Sequence, residues 1–363
     1  ELSSSEPLVV DAALDCGVAQ GSACCASSSS PCAAGLGCES GVCVRCAAFS
    51  PVGLFPGHLD ATVGALSGDG RVAIGVGWLA DGAVQAVRWL LDIGTAELLS
   101  PLANIEPLAV SSTGSVIVGQ VLVSDVRSDA FIWTEAEGVT ILAADAVATG
   151  VSADGSVVVG RLYLPGDRTR AFRWTAAGGL VELERSGAPY SDALAISPDG
   201  SITVGSLADE AGNDRIASWG PRGLRLIEPS SASAGRATGV NADGSVIVGM
   251  HLHDGIASVF RWTEAGGIAD LGLGVARVLV ATTRSGATVA AVRRSRAQIW
   301  RSDTGELRPL EDTLQGLVPE GWVLFEAGIS ADGRVLAGRG RSPYNRLEGW
   351  VARLGPRCAA PEP

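Results

Sequence analysis

Residues 149–183 read TGVSADGSVVVGRLYLPGDRTRAFRWTAAGGLVEL, and this stretch decides the fold. Residues 149–153 predict a short strand. Asp154-Gly155 predicts a two-residue type I′ hairpin turn, because Gly supplies the positive φ that the turn requires. The β-branched run 156–162 predicts a second strand, and Pro165-Gly166 marks a loop after it. Residues 171–175 predict a third strand, Gly178-Gly179 a turn, and 180–183 a fourth strand.

The same unit recurs along the chain. Its turn is found at Asp69-Gly70, Thr113-Gly114, Asp154-Gly155, Asp199-Gly200, Asp243-Gly244, Ser285-Gly286 and Asp332-Gly333. A third-strand Trp follows each turn: Trp89, Trp133, Trp174, Trp219, Trp262, Trp300 and Trp350, spaced by 44, 41, 45, 43, 38 and 50 residues. Only Trp78 and Trp322 stand outside the series. Four short strands in about 43 residues, repeated seven times, predict an all-β, seven-bladed β-propeller of four-stranded blades with almost no helix. A solenoid would show shorter or helical repeats with caps at its ends, and no stretch sustains an apolar period of 3.6. The seventh copy reaches Trp350 without a following turn and fourth strand. Residues 48–55 (AFSPVGLF) are apolar enough to supply that strand, so the last blade is expected to be built from both ends of the chain. The expected domains are a tether at 1–15, a Cys-rich module at 16–46, the propeller at 47–358 and a tail at 359–363.

The copies GVSADGSVVVG…RAFRWTAAGGLVEL and GVNADGSVIVG…SVFRWTEAGGIADLG resemble the HAF repeat of bacterial extracellular proteins. The resemblance spans all seven copies. It departs most in the sixth, where Ser285-Gly286 replaces Asp-Gly and Ala290 replaces a strand Gly. It implies a secreted, propeller-like protein and carries no established catalytic residues. ISPDGSITVG at 196–205 is similar to the SPDG segment of TolB-like propellers. The Cys cluster resembles small knottin- or Dickkopf-type modules by spacing alone.

Eight cysteines are present: Cys16, Cys24, Cys25, Cys32, Cys38, Cys43, Cys46 and Cys358. An even number, seven of them clustered, predicts disulfides and an oxidising, secreted or cell-surface location. Zinc is the rival reading, but Cys43-x-x-Cys46 has no second pair at finger spacing. The chain starts at Glu1, not Met, and shows no signal peptide, so the expectation is a leader either removed or not included in this sequence. Residues 16–43 hold six Cys and little apolar mass, so disulfides must order that module. Its internal connectivity stays open. Cys46 is expected to pair with Cys358 and lock the ring, because the shared last blade brings their neighbours together; the alternative is that another clustered Cys reaches Cys358.

The net charge is −12, the sequence pI is about 4.8, and every one of the 27 basic residues is Arg. An acidic chain without a basic cluster argues against nucleic acid and anionic membranes. Arg293, Arg294 and Arg296 form the only compact basic group. No stretch is long and apolar enough to span a membrane as a helix. No GxSxG, Walker-type, HExxH or dinucleotide fingerprint occurs, and no cofactor is expected. Ser-x-Asp-Gly is similar to the Asp-box of sialidases, but Asp is also a favoured turn residue, which is the simpler account. His251 and His253 are weighed as metal ligands against an ordinary polar loop, and 209–214 as a calcium loop against a solvated acidic one. Arg88, Arg173 and Arg261 precede a Trp in copies whose turns carry Asp69, Asp154 and Asp243, so an Arg–Asp pair is expected inside each of those blades.

The tight turns should share one face and the longer loops the other. The loops at 164–170, 186–192, 206–214, 229–235 and 310–325 make the second face the expected contact surface. Trp322, in the longest of them, is the expected binding residue, against simple packing under its loop. The leading functional expectation is a non-enzymatic propeller binding a protein, carbohydrate or surface ligand. The alternatives are a structural subunit of a self-assembling extracellular structure and a propeller-type carbohydrate-active enzyme.

Overall fold

A computed structural model describes residues 36–39, 42–45, 47–124, 126–166, 168–183, 188–227, 234–253, 255–273, 281–314 and 316–354. The chain divides into two compact units, residues 50–351 and residues 1–49 with 352–363. In the second, Leu36–Glu39 and Val42–Arg45 form an antiparallel hairpin with Cys38 opposite Cys43. Cys16, Cys24, Cys25, Cys32, Cys46 and Cys358 lie outside the described residues, as does the expected Cys46–Cys358 bond.

The larger unit consists of seven four-stranded antiparallel sheets, the propeller that the repeat predicts. The third blade shows the plan: Ala146–Val151, Val157–Leu164, Arg168–Thr175 and Gly179–Glu182, hydrogen-bonded in that order. First strands of successive blades meet one another around the axis. The seventh sheet runs Val323–Ile329, Val335–Arg341, Leu347–Arg353 and then Ala48–Pro51, so its outer strand does come from the N-terminal side. Val52 N–H donates to Gly349 O at 3.0 Å. One short helix, Leu310–Thr313, is the only α-helix among the described residues.

The Asp-Gly turns differ from the expected type I′ form. Gly155 has φ +79°, but Asp154 keeps a negative φ, and Gly155 N–H closes the turn on Ser152 O at 3.0 Å. This is a turn ended by one left-handed Gly, the longer hairpin solution. What holds it is the Ser two residues before the Asp. Ser152 Oγ donates to Asp154 Oδ1 at 2.6 Å and accepts the buried N–H of Val157 at 3.0 Å. The same acceptor recurs in every blade as Ser67, Ser111, Ser152, Ser197, Asn241, Thr283 and Ser330, each buried. Each Asp therefore caps its own turn. Arg88 instead pairs with Glu97 at 2.6 Å and lies over Trp133 of the next blade. Arg173 and Arg261 donate to the turn carbonyls of Gly200 and Gly286, again in the next blade. The expected Arg–Asp pairs give way because each carboxylate is already engaged within its own turn, by Ser67 and Ser152 in blades one and three and by Ser245 in blade five.

The mid-strand Gly is needed because a carbonyl of its own sheet occupies the space that a side chain would take. A Cβ on Gly75 would lie 1.8 Å from Thr62 O, and one on Gly160 1.9 Å from Val147 O. A bulge in each of these first strands, between Val63 and Ala65 or between Ala148 and Gly150, drives a carbonyl of the same sheet into that space. Counted from the turn, the sixth-blade residue at this position is Ala291 and not Ala290.

Blades are stitched near the axis by backbone bonds. Ser112 N–H donates to Ala153 O, Ala153 to Pro198 O, Ala242 to Arg284 O, Arg284 to Ala331 O, Ala331 to Gly68 O, and Asp69 to Ser112 O. The series lacks a member between blades four and five, where Pro198 has no N–H to give. Hydrophobic packing fills the rest of each seam. Trp133 and Phe131 of the second blade pack with Val72, Ile74 and Ala86 of the first. Six of the seven repeat Trp are buried, and Trp174 is half-buried.

Candidate functional site

The first strand of each blade enters from the long-loop face, so its early residues surround the mouth of the axial channel. Pairing with the second strand defines one ring of equivalent positions. Its members are Thr62, Glu106, Val147, Asp192, Arg236 and Glu326, opposite Val76, Gln120, Arg161, Ser206, Met250 and Arg339. The ring is therefore rich in charge at the one place where seven blades converge. Arg161 reaches Asp192 at 3.7 Å, and Arg236 pairs with Asp214 at 2.5 Å.

Glu326 owes its place to an irregularity. Counted back from the turn Ser, its counterparts are Val63, Pro107, Ala148, Ala193 and Ala237, all apolar. In blades one to five the bulge lies just after this position, but in blade seven it falls between Leu324 and Glu326. Side chains alternate along a strand, so moving the bulge by two residues turns Glu326 from the apolar face to the face carrying Thr62 and Glu106 in their blades. There it accepts from Arg339 at 2.5 Å.

Glu326 and Arg339 then share a cavity of about 590 Å³ with Glu106, Trp78 and Thr62. Gln120 Nε2 donates to Glu106 Oε2 at 2.8 Å. Arg339 Nε is buried and has no hydrogen-bond partner among the described residues, a donor left over in the cavity wall. Trp78 ends the second strand of blade one and is half-buried, so part of its indole meets solvent. Two carboxylates from different blades, a guanidinium and an indole on one open cavity form a constellation suited to polyhydroxylated substrates: acids for proton transfer, an aromatic face for a sugar ring.

The sequence-predicted residues fall elsewhere. Trp322 is half-buried beside Gly340, where a Cβ would lie 3.4 Å from its ring. The loop expected at 164–170 is shorter than expected: strands extend to Leu164 and resume at Arg168, with a turn at Pro165-Gly166. Residues 229–233 lie outside the described residues. His251 is buried, with Nε2 2.5 Å from Asp270 Oδ1 and its ring edge-on to Phe260, a packed pair between strands. Among the described residues no group of three His, Cys, Asp or Glu is placed to hold a metal ion. Asp209 accepts the N–H groups of Ala211 and Asn213, and the Asn213 amide leads the causes that lower its pKa; the segment is a self-capped acidic turn. Arg294 and Ser295, with φ 49° and 60°, are the central residues of a two-residue hairpin and form no basic patch.

No protein-family profile matches the chain, and no curated protein matches it. Solved structures similar to it are propellers. Oligogalacturonate lyase from Vibrio parahaemolyticus is 10% identical with a TM-score of 0.59, covering 87% of this chain and 95% of that one. The β-propeller domain of the Trilobed protease from Pyrococcus furiosus is 11% identical with a TM-score of 0.57, covering 81% and 95%. Puromycin hydrolase is 16% identical with a TM-score of 0.54, covering 85% of this chain and 55% of that one. At these identities the likeness shows the fold alone. It nevertheless corrects the expectation of a non-enzymatic binding protein. That expectation rested on the repeat, the disulfides and the missing catalytic motifs, and the similar solved structures include a lyase and, over about half of its chain, a hydrolase.

Proposed function

We propose that the chain is a propeller-type carbohydrate-active enzyme acting at the axial cavity of the long-loop face. The observation that supports this is the displaced bulge of blade seven, which sets Glu326 and Arg339 on the same cavity as Glu106 and Trp78. Glu326 is ion-paired and suits the role of base or nucleophile. Glu106 is held by a neutral amide and suits the role of proton donor. Trp78 offers a face to a sugar ring, and Arg339 Nε offers a donor to a ring or hydroxyl oxygen. The clustered Cys residues support action outside the cytosol.

The test is turnover of a panel of plant and bacterial oligosaccharides, followed by reducing-end release and ultraviolet absorbance to separate hydrolysis from elimination. Glu106→Gln and Glu326→Gln should each lower kcat by about a hundredfold or more, the usual contribution of a positioned acid or base. Trp78→Ala should raise KM more than it lowers kcat. Turnover that survives both Gln substitutions would remove the cavity from consideration.

A further inference from the structure

A second cavity, of about 640 Å³, opens on the same face at the junction of blades seven and one. It is lined by Arg341, Arg346, Asp60, His58, Leu54 and Leu59, among others. Asp60 is the Cα partner of Trp78 in the first sheet, so one strand separates this cavity from the carboxylate site. Neither guanidinium has a carboxylate within ion-pair distance among the described residues. The side chain of Arg341 and the backbone of Arg346 are nevertheless held in place. Arg341 lies over the Phe325 ring at 5.7 Å, and the backbone of Arg346 closes a turn through Ser342 N–H at 3.0 Å. In a chain of net charge −12, two cations on one concave wall with no ion-pair partner among the described residues are set up to receive an anion from outside.

The remaining lining narrows the chemistry. Asp60 makes no ion pair with these arginines, and it supplies an acceptor for hydroxyl groups. Leu59, 58% exposed, and Leu54, 38% exposed, present apolar surface to a ring. His58 is fixed and buried, with Nε2 3.1 Å from Gln85 Oε1 and its ring filling the space over Gly77. A ligand that satisfies all three features carries a carboxylate, hydroxyl donors and an apolar ring face.

We propose that this cavity is a subsite for the carboxylate of an acidic sugar residue, with Arg341 and Arg346 as its specificity-determining residues. The proposal rests on the carbohydrate reading above and names its substrate class. The experiment is a ligand-observed NMR titration of the full chain with methyl glucuronide, methyl glucoside and hexanoate. Methyl glucuronide should bind at least about tenfold more tightly than either of the others, since a charge-assisted hydrogen bond is worth that factor or more. Arg341→Gln and Arg346→Gln should each weaken the glucuronide about tenfold and leave the glucoside unchanged. Both side chains are exposed, so thermal unfolding of each variant should match the parent. Equal binding of glucuronide and glucoside, or glucuronide binding indifferent to both substitutions, overturns the subsite. Equally tight hexanoate overturns the assignment to a sugar. Binding is read without turnover, so failure here is distinct from failure of the Glu106 and Glu326 site.

Discussion

Replacing Ser152 by Ala tests what holds a blade together. Ser152 is fully buried, and its hydroxyl does two things at once. It donates to Asp154 Oδ1 at 2.6 Å and accepts the Val157 N–H at 3.0 Å. Val157 is itself buried, so truncation strands a donor that water cannot reach. An unsatisfied buried donor costs about 1–3 kcal/mol, and the lost bond to the exposed Asp154 adds little, which places the total in the upper part of that range, about 2–3 kcal/mol. Unfolding entropy of about 2.1 cal/mol/K per residue over about 300 residues makes each kcal/mol worth about 1.6 °C, so Tm should fall by about 4 °C. Thr283→Val is the graded comparison. It removes the same hydroxyl where the bond to Thr288 N–H is 3.3 Å long, and it should cost about half as much. Calorimetry on parent, Ser152→Ala and Thr283→Val reads all three. A Ser152→Ala shift below about 1 °C, or a Thr283→Val shift as large as that of Ser152→Ala, would mean that the hydroxyl is not what secures the turn.

Gly75→Ala should destabilise by about 3 kcal/mol or abolish soluble expression, because its Cβ would meet Thr62 O at 1.8 Å. Gly64→Ala, where the nearest atoms stand at 3.9 Å, should change stability by no more than about 1 kcal/mol and serves as the matched control in urea unfolding. Acid sensitivity should follow the turn carboxylates. The hydroxyl of Ser152, the N–H of Ser156 and its hydroxyl lower Asp154 to about 2, and Asp199 and Asp243 are lowered by the same kind of contacts. A depressed folded value means that this stability is fully present above the unfolded carboxylate range near about 4 and is lost as pH falls toward about 2. Tm should therefore hold from pH 7 to about 4.5 and then drop, with Asp154→Asn showing a shallower drop; a decline that starts near pH 6 would overturn this account.

The propeller was legible because its cause is local and repeated. Asp-Gly at each first turn, a Trp on each third strand and the missing last strand are all one-dimensional facts, and each blade needs only its neighbours to bury its faces. Residues 48–51 could be assigned to the last sheet for the same reason: a strand edge without a partner must find one. The turn chemistry was half legible. The Gly was visible, but the Ser that engages the Asp and the buried N–H was not, because a side chain that satisfies a backbone donor five residues on leaves no hydrophobic pattern. The Arg–Asp pairing failed on that point. Same-blade proximity suggested it, whereas packing sent Arg88 and Arg261 over Trp133 and Trp300 of the next blade.

The site was the part that only tertiary structure decided. Glu326 carried a signal in the sequence, an acid where five other copies place Val, Pro or Ala, and Trp78 stood outside the Trp series. Neither could be joined to Glu106, which lies in another blade more than 200 residues from Glu326 in the chain. Their meeting depends on where one bulge falls in one strand, and a one-residue change of register reverses every side chain beyond it. Composition and spacing fix which residues repeat. The direction a side chain takes at the axis is set by hydrogen-bond register summed over a closed ring, and that exists only once the ring has closed.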